Sequence, residues 1–260
     1  MNKALISALN AQFERHDGMA VAVSGGVDSS LLLAAACNFY SAENCLAIIA
    51  VSPSLAASEL SDARQVCRSL GVQLIEIQSN EIRNADYVVN KGDRCYWCKQ
   101  ELFTLAVPIA AQKNLPLAYG ENFDDLQQPR AGRKSAEQHN VLAPLRDAKF
   151  TKDDVRKYAR FLKLDVADKP AAPCLASRIA VGQAVSLESL NIVAEIEIQL
   201  RDWGYKIFRS RVVGEGQLSF EFADEELAAA DEQRDKLAAL ARSHGCELVA
   251  IAAYRSGSVA

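Results

Sequence analysis

Val21-Ala-Val-Ser-Gly-Gly-Val-Asp-Ser-Ser-Leu-Leu-Leu33 decides how this chain is read. Continuous apolar residues up to Val23 predict a buried strand. The Ser-Gly-Gly that follows predicts a tight turn, and Val27 onward the start of a helix. At such a junction the first helical N–H groups and the positive end of the helix dipole face outward, which suits an anion. Gly25 and Gly26 let the backbone approach phosphate oxygens closely, while Ser24, Ser29 and Ser30 add hydroxyl donors. Asp28 repels phosphate, so its expected task is to place Mg²⁺ or to cap the helix. The string lacks the Gly-Lys-Ser/Thr of a Walker A loop and the Gly-x-Gly-x-x-Gly of a dinucleotide fold. An ordinary capped strand-to-helix turn is the plain alternative.

Outward from this loop, Met19–Ser24, Cys45–Ser52, Gln73–Gln78 and Pro116–Glu121 read as strands. Helical patterns lie around Ser29–Phe39, Ser58–Leu70 and Lys99–Lys113. That alternation predicts right-handed βαβ units and a doubly wound α/β parallel sheet covered on both faces. Asn122–Leu145 is polar and reads as a long functional loop. Thr151 with Asp154 signals a helix through Leu162. Pro170, Pro173 and Gly182 mark a second irregular stretch, after which the pattern changes. A helix over Ser186–Trp203, strands at Ile207–Val213 and Leu218–Phe222, a long helix over Asp224–Ser243 and a last strand at Glu247–Tyr254 predict a small α+β domain. The expected division is residues 1–168 for nucleotide binding and 169–260 for a cysteine-bearing loop plus the small domain.

The 260 residues are half hydrophobic and carry a formal charge of −4. That excludes a generally basic face for nucleic acid. No apolar run suits a bilayer span or a signal peptide, so a cytoplasmic protein is expected. Seven cysteines argue against a disulfide framework. Cys37, Cys45, Cys67 and Cys246 read as small buried hydrophobes. Cys174 differs, lying in a Pro-bounded polar loop four residues before Arg178, a positive neighbour able to favour a thiolate. Cys95 and Cys98 form Cys-x-x-Cys where a helix begins, so both sulfurs share a face. A redox pair, a partial zinc site and two unrelated buried cysteines compete with a functional reading there. In that reading, Cys95, Cys98 and Cys174 hold one iron–sulfur cluster and leave an iron open to sulfide.

Asp124 and Asp125 follow a strand end, where open α/β sheets bind ligands, and adjacent carboxylates suit Mg²⁺. Arg130 and Arg133 in the same loop are phosphate candidates. Arg209 and Arg211 sit two apart on a strand and share a face, a fork for phosphate or carboxylate. Glu221 on the partner strand is placed to bridge them, which is also the plain ion-pair alternative. Glu197 on the preceding helix is a further candidate. The charges of residues 224–236 read as a solvated helix face, and His16, His139 and His244 carry no motif.

Ser24–Ser30 closely resembles the PP-loop of the N-type ATP pyrophosphatases, which bind the pyrophosphate of ATP and activate a carboxylate or carbonyl as its adenylate. Four further blocks narrow the resemblance: Arg94-Cys-Tyr-Trp-Cys-Lys-Gln-Glu-Leu-Phe103, Gly120-Glu-Asn-Phe-Asp-Asp-Leu126, Pro173-Cys-Leu-Ala-Ser-Arg178 and Phe208-Arg-Ser-Arg-Val212. Together they are similar to the ATP-dependent sacrificial sulfur transferases (LarE), which build the nickel-pincer nucleotide cofactor of lactate racemase. The resemblance implies ATP and Mg²⁺ at the loop, with Asp124 and Asp125 contributing. It implies a pyridinium mononucleotide substrate held by Arg209 and Arg211, with Ser177, Arg178, Glu221 and Glu197 nearby, and a homo-oligomer. It also implies that Cys174 attacks the adenylated carboxylate, forms a thioester and loses its sulfur to leave dehydroalanine. Some members instead use a [4Fe–4S] cluster, and the three cysteines here favour that route. Other PP-loop adenylating enzymes, a tRNA thiolase or an ammonia-dependent amide synthetase, are the nearest alternatives. A nonenzymatic nucleotide- or iron-sensing module is the alternative from another class.

Overall fold

The computed structural model describes residues 2–127 and 131–255. The chain divides into two compact units, residues 1–81 with 95–172 and residues 82–94 with 173–260. The strands are β1 (Met19–Ala22), β2 (Cys45–Val51), β3 (Gln73–Gln78), β4 (Leu117–Tyr119), β5 (Phe208–Gly214), β6 (Gln217–Phe222) and β7 (Glu247–Ala253). The helices are α1 (Lys3–Phe13), α2 (Val27–Tyr40), α3 (Ala57–Leu70), α4 (Ala85–Val89), α5 (Arg94–Gln112), α6 (Ala131–Gln138), α7 (Pro144–Asp147), α8 (Lys152–Phe161), α9 (Leu187–Asp202), α10 (Asp224–Glu232) and α11 (Arg234–Ser243).

The first unit holds a parallel sheet in the order β3-β2-β1-β4. Successive side chains of a strand point to opposite faces. Met19, Val21 and Val23 therefore enter one core with Leu31, Leu32, Val66, Phe150 and Val155, while Ala20 and Ala22 enter another with Phe103, Ala106 and Ala136. Both faces of β1 and β2 are thus covered, which is why their sequences are apolar without alternation. β3 is an edge strand, and its outer residues are exposed accordingly. The doubly wound α/β sheet read from the sequence is the one observed.

One stretch is more ordered than the sequence suggests, and one helix signal is met in full. Residues 122–145 contain a 3₁₀ turn at Phe123–Gln127, then α6 and α7. The turn is tied down where the Phe123 N–H donates to the Phe150 carbonyl at 2.7 Å. The helix signal at Thr151 is a complete capping box, with Thr151 and Asp154 satisfying each other's backbone N–H groups.

In the second unit, β5 and β6 are antiparallel and β7 joins β6 in parallel. Their apolar side chains Phe208, Leu218, Phe220 and Phe222 pack with Ile196 and Leu200 of α9, Ala230 of α10 and Leu237 of α11. The long helix expected over Asp224–Ser243 is two helices that meet at Gln233, whose φ of −98° and ψ of 19° leave the helical region. Residues 82–94 belong with this unit because Asn90 bonds to the backbone of residues 179–183. Among the described residues, no helix is long and apolar enough to cross a membrane.

Candidate active site

The phosphate loop leaves β1 at its C-terminal end and enters α2 through Gly25 and Gly26. Gly25 has φ +75°, and a Cβ there would stand 2.2 Å from the Glu59 carbonyl oxygen, so only glycine fits. Gly26 is the N-cap of α2, and no side chain caps its first turn. Ser29 is nearly fully buried and braces the loop from within: its hydroxyl donates to the Gly26 carbonyl at 3.2 Å, and the Ser24 N–H donates to it at 3.1 Å. Ser30 is buried as well, whereas the Ser24 side chain is exposed at the open side of the turn. The three serines therefore divide between bracing and access.

Asp28 does not cap the helix. Its carboxylate accepts from Asn122 Nδ2 at 2.9 Å and from Lys152 Nζ at 2.5 Å. Lys152 is the first residue of α8, and its own N–H donates to Asp124 Oδ2 at 2.8 Å. One lysine thus ties together two of the three carboxylates expected at Mg²⁺. Asp125 accepts from the Asn122 N–H at 3.1 Å, and Asn122 Oδ1 accepts from the Asp125 N–H at 3.3 Å. This turn reaches the loop because β4 ends against α2; a Cβ at Gly120 would stand 2.5 Å from the Ser29 nitrogen. On the loop's other side Lys169 Nζ meets Glu59 at 2.6 Å, Asp62 at 2.5 Å and the Gly25 carbonyl at 3.2 Å.

Beneath the turn, Glu121 is buried and accepts from Tyr119 Oη at 2.7 Å, Arg133 Nε at 3.0 Å and Arg146 Nη1 at 3.0 Å. Burial pushes its carboxyl up, but the hydrogen bonds from Tyr119 and Arg133 and the two guanidinium charges outweigh this and hold it below the usual carboxylate range. Burial, then the bond to Glu121, pushes the Tyr119 phenol up. Arg133 also donates to the Asp125 carbonyl at 2.7 Å, so it supports the acidic turn. Arg130 lies outside the described residues.

In the second unit, Cys174 is half-buried at the N-cap of a 3₁₀ turn, Leu175–Arg178. Arg178, 3% exposed, donates Nη1 to the carbonyls of Pro173 and Cys174 and to Ser177 Oγ. Its remaining nitrogens grip Glu197 in a bidentate pair of 2.8 and 3.0 Å. Glu197, 1% exposed, also accepts from the Ser210 N–H at 3.2 Å. The sequence offers Glu197 as a substrate contact, but the structure commits it to Arg178 and β5, so it supports the loop.

Arg211 Nε meets Glu221 Oε1 at 2.5 Å, and its Nη1 donates to the Ser177 carbonyl at 3.1 Å. Arg209 Nη1 donates to the Phe208 carbonyl at 2.6 Å, and its guanidinium lies 4.9 Å from the Tyr254 ring centre. Burial and the neighbouring Arg178 charge lower the pKa of Arg209, an electrostatic setting that favours an added anion. Hydrogen bonds connect Ser177, Arg178, Glu197, Arg211 and Glu221 around the cysteine loop, and Arg209 feels the charges of Arg178 and Glu197.

Cys95 is exposed and Cys98 half-buried on the first turns of α5. Among the described residues, no three or more His, Cys, Asp or Glu side chains gather as a metal would need. Cys95 and Cys98 belong to the first unit and Cys174 to the second. Sequence reading missed Lys152, Lys169, Glu121 and Arg146, because each meets the loop or turn only through tertiary packing.

The NAD synthase family model matches residues 4–93. The chain is similar in fold to the glutamine-dependent NAD+ synthetase from Acinetobacter baumannii solved with ADP, at TM-score 0.50 and 21% identity, covering 60% of this chain and 31% of that one. The chain thus spans about a third of the synthetase's length. The pyridinium-3,5-bisthiocarboxylic acid mononucleotide synthase of Lactiplantibacillus plantarum is 27% identical over 192 residues, 74% of this chain and 70% of that protein. The protein slr1717 of Synechocystis sp. is 38% identical over 216 residues, 81% of this chain and 79% of its own length. Kinship at that identity and coverage, joined to the synthase match and the PP-loop geometry, establishes that the chain belongs to the LarE family of the PP-loop superfamily.

Proposed function

We propose that this ATP-dependent PP-loop enzyme is a sulfur transferase acting on a carboxylate of a pyridinium mononucleotide, with Cys174 as the sulfur donor. The observation that carries the reading is the clamp on the cysteine loop: a fully buried Arg178–Glu197 pair whose spare donor fixes the Pro173 and Cys174 carbonyls beside a half-buried thiol. A cysteine kept only for packing has no need of such a frame. An amide synthetase would have no use for it, and the net charge of −4 disfavours a tRNA substrate.

ATP lies with its phosphates on the Ser24–Ser30 loop; Asp28, Asp124 and Asp125 carry the hard oxygen donors that Mg²⁺ prefers, and since the described residues do not gather three of them, one or two would hold the ion together with ATP's own phosphates. Bound there, Mg²⁺ would neutralise phosphate charge. Lys152 compensates Asp28 and supplies a second counter-charge beside the loop. The substrate carboxylate attacks the α-phosphorus and pyrophosphate leaves. The Cys174 thiolate then attacks the acyl carbon and AMP leaves, forming a thioester. Removal of the Cys174 Cα proton breaks its Cβ–S bond, so sulfur remains on the substrate as a thiocarboxylate and dehydroalanine remains in the chain. Arg209 and Arg211 anchor the substrate's phosphate, since with Arg178 they make three guanidiniums against the two carboxylates Glu197 and Glu221. We place the enzyme in the cytoplasm, with its ATP supply, as a homo-oligomer.

Cys95 and Cys98, three apart on one helix face, favour a second route in which they and Cys174 hold a [4Fe–4S] cluster whose fourth iron carries sulfide. Cys95 and Cys98 lie in the first unit and Cys174 in the second. The deciding experiment is one turnover with ATP and substrate, followed by intact mass and an iron and sulfide count on anaerobically purified protein. Loss of the mass of one H₂S from iron-free protein is the expected result. Unchanged mass with Cys174→Ser still active overturns the cysteine reading, and unchanged mass with stoichiometric iron and sulfide selects the cluster.

A further inference from the structure

We propose that Asn90 is a positioning residue for the reactive cysteine: a buried asparagine that holds the segment just downstream of Arg178 and thereby fixes the Cys174 loop. The inference rests on the reading of Cys174 as the sulfur donor, but nothing in the sequence patterns singles Asn90 out.

Asn90 ends α4 in the left-handed region, at φ 55° and ψ 56°, a conformation that asparagine tolerates better than most residues. It is 1% exposed, and its bonding capacity is filled from both ends. With its two hydrogens Nδ2 donates to the carbonyls of Ala180 at 2.9 Å and Gln183 at 3.0 Å, the Ile179 carbonyl at 3.3 Å sharing one of them. Oδ1 accepts from Arg94 Nη1 at 2.7 Å, and the backbone carbonyl accepts from the Gly182 N–H at 2.9 Å. Five interactions on one side chain and its carbonyl exceed what a turn requires.

What they hold is specific. Ile179 and Ala180 directly follow Arg178, whose guanidinium fixes the Pro173 and Cys174 carbonyls. The same segment is pinned from the other side where the Ala180 N–H donates to Val212 of β5 at 2.9 Å. Residues 179–180 are therefore set between Asn90 and β5, and the position of Arg178 follows from theirs. Arg94, itself buried, orients the amide: a guanidinium can only donate, so it fixes Oδ1 toward itself and Nδ2 toward the carbonyls. Cys95 is the next residue in sequence, so the piece of chain that carries the Cys-x-x-Cys pair also supplies the support for the Cys174 segment.

Two substitutions test this in the full chain. Asn90→Gly keeps the backbone conformation and removes the amide; Asn90→Asp keeps the shape and turns a donor toward carbonyls into an acceptor. Iodoacetamide labelling, followed residue by residue by mass spectrometry well below the melting temperature, reads the loop directly. Cys174 labelling is expected to quicken by about tenfold, the factor that loss of ordinary hydrogen bonds gives to local opening. Labelling of buried Cys246 and ATP affinity by calorimetry stay within about twofold of wild type, since general loosening alone would move both. Sulfur transfer falls while first-turnover pyrophosphate release persists. Equal acceleration at Cys174 and Cys246, or unchanged Cys174 labelling in either folded variant, overturns the proposal. Should Cys174→Ser still transfer sulfur from a cluster, the donor reading fails while the labelling result for Asn90 stands by itself.

Discussion

Arg178 and Glu197 face each other through two hydrogen bonds of 2.8 and 3.0 Å, nineteen residues apart and both almost wholly removed from solvent. A pair this deeply buried adds little or nothing over an apolar isostere, yet removing one partner strands the other charge. Glu197→Ala is therefore expected to cost about 3–5 kcal/mol in urea denaturation. Arg178→Lys keeps the charge but not the fork, and so releases the Cys174 carbonyl. Sulfur transfer by that variant falls further than its pyrophosphate release.

Gly25 gives a sharper test of the phosphate loop. A methyl group there meets the Glu59 carbonyl at 2.2 Å in a left-handed backbone, so Gly25→Ala must displace the loop or α3. ATP binding is expected to disappear. Gly71 is the control: φ is +68° but nothing lies within 4 Å, so Gly71→Ala costs roughly 1 kcal/mol of stability and leaves ATP affinity unchanged. Calorimetric titration with ATP and thermal denaturation of both variants separate the two outcomes.

The Lys152–Asp28 contact predicts a charge requirement at the nucleotide. Lys152→Gln leaves Asp28, among the described residues, with the Asn122 amide as its counterpart and removes a positive charge from beside the loop. Pyrophosphate release is expected to fall by about tenfold or more, a typical loss for one charged contact in a phosphoryl-transfer site. Lys152→Arg recovers most of it. The check is the rate at saturating and limiting ATP.

Glu121 predicts an acid sensitivity. Its folded pKa lies below the unfolded value, about 4.3, so its contribution is complete above that pH and is lost as pH falls through the depressed folded value. Wild type should lose more stability than Glu121→Gln when urea denaturation is repeated at pH 5, 4 and 3. Equal acid slopes for the two proteins would contradict the assignment.

Much of the first unit was legible because its signals are local. The apolar runs of β1 and β2, the glycines of the turn and the Thr151 capping box each depend on residues within a few positions, where periodicity and backbone preference act directly. The split of the last long helix at Gln233 was not legible, since Gln233 carries no breaker chemistry and the residues around it favour helix. Residues 122–145 read as an irregular loop, because the contact that orders them, Phe123 to Phe150, spans far more sequence than any local signal.

The sequence by itself determined the parallel α/β sheet, the phosphate loop at its strand end and the Pro-bounded polar setting of Cys174, because each follows from residue types at fixed short spacing. Only the tertiary structure decided which charges serve those groups. Lys152 reaches Asp28 across 124 positions and Glu197 reaches Arg178 across nineteen, and Asn90 holds residues about ninety positions away. An ionised or hydrogen-bonding side chain finds its partner by burial and distance in three dimensions, and spacing along a chain carries no record of either.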